Sequence, residues 1–325
     1  MPRGAVLGLV RAIAVIFGVV TLTFVLLHLA PGDPVQRLLG PAATTAQASA
    51  IRHSMGLDRP IEAQYLTWLG HVSHGDFGTS IATGRRVGAL LSDAWPATAA
   101  LVALSLALTY VIGIAVGAWQ ANSRSRSLDG AVTTGAVAFN AMPAYWLALV
   151  LVMVFTYWLR LLPAFGASGL DAEYLSWDGR IADRLRHLAL PLLTLTLIGF
   201  GGTARFVRAS MRDLRDAPFL VVARAKGVGS MRTIVRHQLR NALVPVVTLL
   251  GLSLPAFFSG TVFVESVFAW PGVGQLMVQG VQARDYPVVM AAATVSAVLV
   301  VVGNLAAEAI GELVDPRSRS GGIDG

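Results

Sequence analysis

Apolar runs close to the ~20 residues needed to cross a hydrocarbon core recur six times along this chain of 325 residues. They extend approximately from Ala12 to Ala30, Ala97 to Trp119, Ala131 to Leu159, Leu188 to Ala204, Ala242 to Val264 and Val288 to Ala307. Hydrocarbon offers a backbone amide no partner, so each run must satisfy its own hydrogen bonds, which a helix does. The fold class expected is therefore all-α, a polytopic membrane protein with about six transmembrane helices. Composition agrees: 55% of residues are hydrophobic and 13% charged, against roughly 25% charged in a soluble domain. No polar stretch between residues 4 and 310 is long enough for a soluble domain. The third run is long enough to tilt or to extend past the bilayer. The fourth is short and interrupted by Pro191, Gly199, Gly201 and Gly202.

Orientation follows from the basic residues flanking the runs, because cytoplasmic loops retain Arg and Lys. Arg3 and Arg11 precede the first run without an acid, and Arg124 and Arg126 follow the second. The stretch from Arg205 to Arg240 carries nine basic residues against Asp213 and Asp216. Residues 31–95 are balanced at five arginines and five acids, residues 160–186 at four and four, and the last outer loop holds only Arg284 and Asp285. This alternation places the chain in the plasma membrane with both termini cytoplasmic, although the tail after Glu312 is not basic. It also assigns the net charge of +7 to topology and the lipid bilayer rather than to nucleic acid. The first run is read as a retained span and not a signal peptide, because its apolar core exceeds the usual length and His28-Leu29-Ala30 lacks the small residue needed three before a cleavage point. The expected organisation is residues 1–30 as N-terminus and first span, 31–95 as an extracytoplasmic segment of short helices, 96–310 as the membrane core with a cytoplasmic loop at 209–240, and 311–325 as a tail, disordered from Pro316 to Gly325. Within the outer segment, Ala30-Pro31-Gly32-Asp33-Pro34 ends the first span, and helices are expected around Ala46–Met55 and Ile61–Val72.

Between the fourth and fifth runs the pattern turns amphipathic. Asp216 is positioned to cap a helix whose first turn holds Pro218, where a missing amide does no harm. That helix reads Phe219-Leu220-Val221-Val222-Ala223-Arg224-Ala225-Lys226 and stops at Gly227. Gly227 and Gly229 permit positive φ and a sharp return, and Ser230 is positioned to cap a second helix through Met231, Ile234, Val235 and Leu239. A basic knob of this kind serves either as an anchor on anionic lipid or as a handle through which a partner moves two spans. The small residues Ala223, Ala225 and Gly227 favour close approach of a protein surface.

Ala223-Arg224-Ala225-Lys226-Gly227 followed by His237-Gln238-Leu239-Arg240-Asn241-Ala242-Leu243-Val244-Pro245 resembles the coupling loop of the dipeptide and oligopeptide ABC importer permeases. The resemblance runs nearly end to end: Leu29-Ala30-Pro31-Gly32-Asp33-Pro34, Gly56-Leu57-Asp58-Arg59-Pro60 with Gln64-Tyr65, Gly75-Asp76-Phe77-Gly78, Val264-Glu265-Ser266-Val267-Phe268-Ala269-Trp270-Pro271-Gly272-Val273-Gly274, Arg284-Asp285-Tyr286-Pro287 and Asp315-Pro316-Arg317 stand in the family's order. Phe219 stands where the family often has tyrosine, Val222 where threonine is common, and Val221 near the place of the general coupling glutamate. The resemblance implies a transport subunit that is not itself an enzyme and binds no cofactor. It pairs with a homologous second permease, two cytoplasmic ATPase subunits carrying ATP-Mg, and an extracytoplasmic binding protein that delivers peptide. Phe219, Val222, Ala223, Arg224, Ala225, Lys226, Gly227, His237, Arg240 and Asn241 would form the ATPase-coupling loop. Nickel, glutathione and some sugar systems share this permease type and form the near alternative. Independently, a Walker A site needs lysine followed by Ser or Thr, and the sole lysine, Lys226, precedes Gly227.

Other chemistry is weaker. The chain has no cysteine, which excludes disulfides and thiolate sites. Gly166-Ala167-Ser168-Gly169 has the form of an intramembrane serine protease motif, but it falls in an outer loop and the last run offers no histidine as base. His53, His71 and His74 lack metal-site spacing and are read as solvated. Glu265 and Glu308, the acids nearest the last two runs, would suit a proton-coupled secondary transporter; the preferred reading places each near an interface where water or an arginine satisfies it. Asn140, Thr194, Thr196, Ser253 and Ser259 line a pathway or bond between helices.

Overall fold

The computed structural model describes residues 3–30, 32, 35, 39 and 44–314. Pro31, Asp33 and Pro34 of the first turn motif, the Glu308 side chain, Asp315-Pro316-Arg317 and the tail from Pro316 to Gly325 lie outside the described residues. The regular elements among the described residues are helical, with one isolated antiparallel bridge between Thr79 and Arg86. In chain order they are α1 (Arg3–Leu29), α2 (Thr45–Ser54), α3 (Ile61–Ser73), α4 (Val87–Asn122), α5 (Arg126–Ala141), α6 (Ala144–Val152), α7 (Trp177–Asp213), α8 (Pro218–Ala225), α9 (Ser230–Arg232), α10 (Val244–Val267), α11 (Val273–Ala283) and α12 (Tyr286–Val314). A π-helical stretch, Met153–Trp158, continues α6, and a second, Thr233–Leu239, leads from α9 through a short turn at Arg240–Ala242 into α10.

Each expected run is covered by helix. Among the described residues α1, α4, α7 and α12 are long and apolar enough to cross a membrane, the pair α5 and α6 passes together, and α10 covers the fifth run with 24 residues. Three details differ from expectation. The third run is not one tilted span: α5 and α6 meet at a 107° bend. Pro143 explains it, since the ring disfavours helical backbone at the residue before it, and Met142 is extended at ψ 137°. The fourth run is not short. Helix α7 takes 37 residues and carries Pro191, Gly199, Gly201 and Gly202 inside it, because hydropathy marks the hydrocarbon-facing part of a helix and not its ends. For the same reason α4 begins ten residues before Ala97 and includes Pro96.

The described chain forms two compact units. The first comprises Met1–Ala99 and Ala269–Val301. Thr44 and Gln47 exchange side-chain-to-backbone hydrogen bonds that start α2, satisfying amides the helix leaves open. Tyr65 of α3 lies against Phe24 of α1 with ring centroids 5.0 Å apart, and its hydroxyl is 2.5 Å from Thr21 Oγ1. Asp285, buried just before α12, accepts hydrogen bonds from Ser80 Oγ at 2.5 Å and from the Ile81 and Ala82 amides at 3.1 Å. That carboxylate fastens the loop before α4 to the start of α12.

The second unit comprises Ala100–Phe268 and Val302–Gly325, and α7 runs through its core. Without water to expel, membrane helices associate through close packing, which small residues permit. A Cβ added at Gly117 of α4 would lie 2.4 Å from the Ala204 carbonyl oxygen of α7, and one at Gly113 would lie 2.6 Å from Thr203 Cβ. On its other side, Gly201 of α7 comes so close to α5 that a Cβ would meet the Ala136 carbonyl oxygen at 2.8 Å. Gly201, expected to interrupt a span, is instead a point of helix crossing.

Gly117→Leu is therefore expected to force α4 from α7 at a cost of about 1–3 kcal/mol or more, lowering the thermal midpoint of the detergent-purified protein. Gly18→Leu, at a position with open space around its Cα, is the matched substitution and should leave the midpoint unchanged.

Candidate coupling site

Helix α8 is short, with Pro218 at its first position and Ala217 as N-cap without a side-chain bond. Asp216 is thus not the cap; proline's fixed φ starts the helix alone. Its two faces differ sharply. Leu220 is fully buried and Ala223 is 8% exposed, whereas Phe219 is 40% and Val222 51% exposed, with Val221, Arg224, Ala225 and Lys226 also outward. Of the small residues expected to favour close approach of a protein surface, Ala225 faces outward, whereas Ala223 sits one helical turn from Leu220 on the inward stripe.

The helix ends as its sequence dictates. Gly227 has φ +76°, its amide donates to the Arg224 carbonyl at 3.0 Å, and the Val228 amide donates to the Ala223 carbonyl at 3.1 Å. This is the reciprocal pair that closes a helix through a left-handed residue. A Cβ at Gly227 would meet nothing within 4 Å, so glycine is needed there for backbone geometry and not for space. Gly229 is ordinary at φ −58° and is itself the N-cap of α9, the place expected for Ser230. One positive φ suffices for the turn.

The returning segment is bound to the end of α7. Buried Gln238 donates through Nε2 to the Met211 carbonyl at 2.7 Å, and Thr233 Oγ1 donates to the Val228 and Gly229 carbonyls at 3.3 and 3.2 Å. Arg224 reaches back to the Arg215 carbonyl at 3.1 Å. Val207, Met211, Ala242 and Val246 form an apolar core with Ala121 of α4, and Ile234, Leu239 and Leu243 pack against it. His237 is half-buried, and its carbonyl accepts from Asn241 Nδ2 at 2.6 Å; Arg240 and Asn241 face outward.

An ionic cluster lies at the base of this loop. Asp129, in the first turn of α5, is buried between Arg208 and Arg212 of α7, hydrogen bonded to the first and 3.0 Å from the second. Gln120 of α4 donates through Nε2 to Asp129 Oδ1 at 3.1 Å and to Thr133 Oγ1 at 3.0 Å. Three helices thus share one carboxylate. The polar residues expected to line a path are dispersed: Thr194 and Thr196 are buried in α7, Asn140 donates to the Ile198 carbonyl at 3.0 Å, Ser253 lies 2.8 Å from the Tyr110 hydroxyl, and Ser259 is exposed. Glu265, expected near a hydrated interface, is fully buried and engaged within the protein. His53, His71 and His74 are exposed, as expected. Ser168 lies in a turn fixed at both ends, where the Gly166 amide donates to the Phe268 carbonyl and the Gly169 amide to Asp183.

Residues 113–320 match the model of the binding-protein-dependent transport system inner membrane component, and residues 1–102 match that family's N-terminal membrane component. The chain belongs to this permease family. Its relatives include the oligopeptide transport system permease protein AppB of Bacillus subtilis, 39% identical across 94% of this chain and 96% of that one. The probable D,D-dipeptide transport system permease protein DdpB of Escherichia coli is 38% identical across 97% and 96%. The glutathione transport system permease protein GsiC of Salmonella typhi is 34% identical across 96% of each. The chain is thus a multi-pass membrane component of a transport system, as its sequence indicated.

Within this permease, sequence reasoning missed Asp129, Gln120, Arg208 and Arg212 as a unit. The signal was present: Asp129 is the lone acid beside two arginines, and Arg208 and Arg212 stand four apart, on one helical face. Asp129→Ala should leave both guanidiniums without their carboxylate and loosen the loop, speeding tryptic cleavage at Arg215 and Arg224 by roughly tenfold. Gly227→Val should likewise unfold the end of α8 while membrane insertion stays normal, read as loss of transport at unchanged abundance.

Proposed function

We propose that this permease is the membrane-spanning subunit of an ATP-driven importer of peptides, and that α8 is the surface through which an ATPase moves it. The observation that carries the reading is the two-faced α8. Its inward residues Leu220 and Ala223 fasten it to its own chain, while Phe219, Val221, Val222 and Ala225 are left uncovered. An apolar helix face of this kind, closed by a left-handed glycine and followed by a segment that Gln238 ties to α7, suits a groove on a second protein. Docked there, it passes the partner's motion into α7 and α10, which flank it in sequence, because packed helices move between discrete arrangements.

The partners follow from that role. ATP-Mg belongs to two ATPase subunits, a homologous second permease completes the path, and a binding protein delivers substrate on the opposite side, with both termini of this chain cytoplasmic. Peptide is the preferred cargo because relatives named for oligopeptide and dipeptide transport reach 39% and 38% identity. Glutathione, named for a relative at 34%, is itself a short peptide derivative and forms the second reading.

The test is Ala225→Cys with Ala223→Cys as its internal control, in the transporter reconstituted with its ATPase. Ala225→Cys should crosslink to the ATPase and Ala223→Cys should not, and vesicles carrying the unmodified transporter should accumulate dipeptide only with ATP. Crosslinking at neither position, over several probe lengths, would reject docking on α8. Uptake that persists without the ATPase would reject the importer and favour a secondary carrier.

A further inference from the structure

We infer that the cavity between the π-helical end of α6 and the first turns of α7 is a binding site for the phosphodiester headgroup of an anionic phospholipid. The cavity, about 340 Å³, is lined by Thr156, Arg160, Leu161, Pro163, Asp183, Arg186 and His187 among others. Its chemistry is that of an anion receptor. Arg160 and Arg186 carry no hydrogen-bond or ion-pair partner among the described residues, and arginine's planar fork matches phosphate oxygens. Thr156 Oγ1 is buried without a hydrogen-bond partner, a costly state in a folded protein unless a ligand completes it.

The carboxylate in the cavity is engaged by groups other than the two arginines. Asp183 Oδ2 accepts the Gly169 amide at 2.8 Å, and Oδ1 lies 3.3 Å from Nδ1 of His187, whose side chain is 8% exposed. His187 Nδ1 also meets the Asp183 carbonyl at 2.9 Å. Asp183 and His187 therefore make the wall, and the two guanidiniums remain available at the mouth.

The backbone is held in an uncommon shape to present them. Residues Met153–Trp158 form a π-helix, a widening that clusters at functional sites. Arg160 follows in the left-handed region at φ +53°, a conformation that costs a non-glycine residue energy and marks sites where geometry is specified. The lipid assignment, over a soluble anion, rests on what borders the cavity. Tyr157 is 65% and Trp158 69% exposed, and Leu159 and Leu161 are exposed beside them. Exposed Tyr and Trp at the end of a membrane helix sit at headgroup level, which sets Arg160 and Arg186 at phosphate depth with acyl chains against the leucines.

The experiment is native mass spectrometry of the full-length protein, purified in detergent and supplied with phosphatidylglycerol or phosphatidylcholine. Retention of phosphatidylglycerol should exceed that of phosphatidylcholine, and should fall about fivefold for each of Arg186→Gln and Arg160→Asn. Asparagine is chosen at Arg160 because it tolerates the left-handed backbone. Arg184→Gln removes the same charge from an exposed position of α7 outside the cavity lining and should change nothing. Thr156→Val, which deletes the buried hydroxyl at constant shape, should also reduce retention. Equal losses with Arg184→Gln, or equal retention of the two lipids, would overturn the site. Displacement of phosphatidylglycerol by millimolar inorganic phosphate would overturn the lipid assignment in favour of a soluble anion. Arg186→Gln, on the helix surface, keeps the test open if the Arg160 variant fails to fold.

Discussion

Inside hydrocarbon, two helices gain nothing by hiding leucines from each other, since the lipid tails are equally apolar. What holds this chain's second unit together must therefore come from contact itself, and α7 shows how. Gly113 and Gly117 bring the α4 backbone onto the Phe200 to Val207 stretch, and Gly201 brings the α5 backbone onto α7 from another side. Dispersion falls steeply with separation, so a helix pair at glycine distance gains contacts along its length that larger residues would forfeit. The position of everything attached to α7 depends on these crossings.

The ionic cluster extends the same constraint to where the apolar packing ends. Asp129 of α5 is surrounded by three groups from two other helices, Arg208 and Arg212 of α7 and Gln120 of α4. A carboxylate removed from water is costly unless it is paired and its remaining lone pairs are satisfied, and here Gln120 completes the set. Such a group works as a fastener and not as a large source of stability. Its value is that α4, α5 and α7 cannot separate at that end without exposing unpaired charge. The loop that carries α8 therefore hangs from a fixed base.

Much of this architecture was legible in the residues, and the reasons are physical. Hydropathy reports helices in lipid because the backbone there must satisfy its own hydrogen bonds, so helix covers each of the six runs, and four helices and one bent pair among the described residues are long and apolar enough to cross. Pro218 and Gly227 located both ends of α8 to within a residue, since each acts through a covalent restriction or freedom that neighbours do not alter. What escaped was whatever depends on through-space partners. The 107° bend could be placed at Pro143 only once the backbone around Met142 was seen, because proline also sits inside α4 and α7 without breaking them. The inward direction of Ala223 and the gathering of Asp129 with Arg208 and Arg212 are settled by which helix face meets which, and no single stretch of sequence records that.

The division of α8 into a fastened face and an uncovered one has an evolutionary consequence. Leu220 and Ala223 answer to the chain's own interior, while Phe219, Val221 and Val222 answer only to whatever covers them. Under the proposed docking, drift on the outer stripe would retune a partner without disturbing the permease's own folding. Drift on the inner stripe is tied to residues such as Met211 and Gln238 that hold the loop in place. On that proposal, a permease lineage would keep one membrane architecture and re-pair it with different partners by changing a few side chains on one short helix.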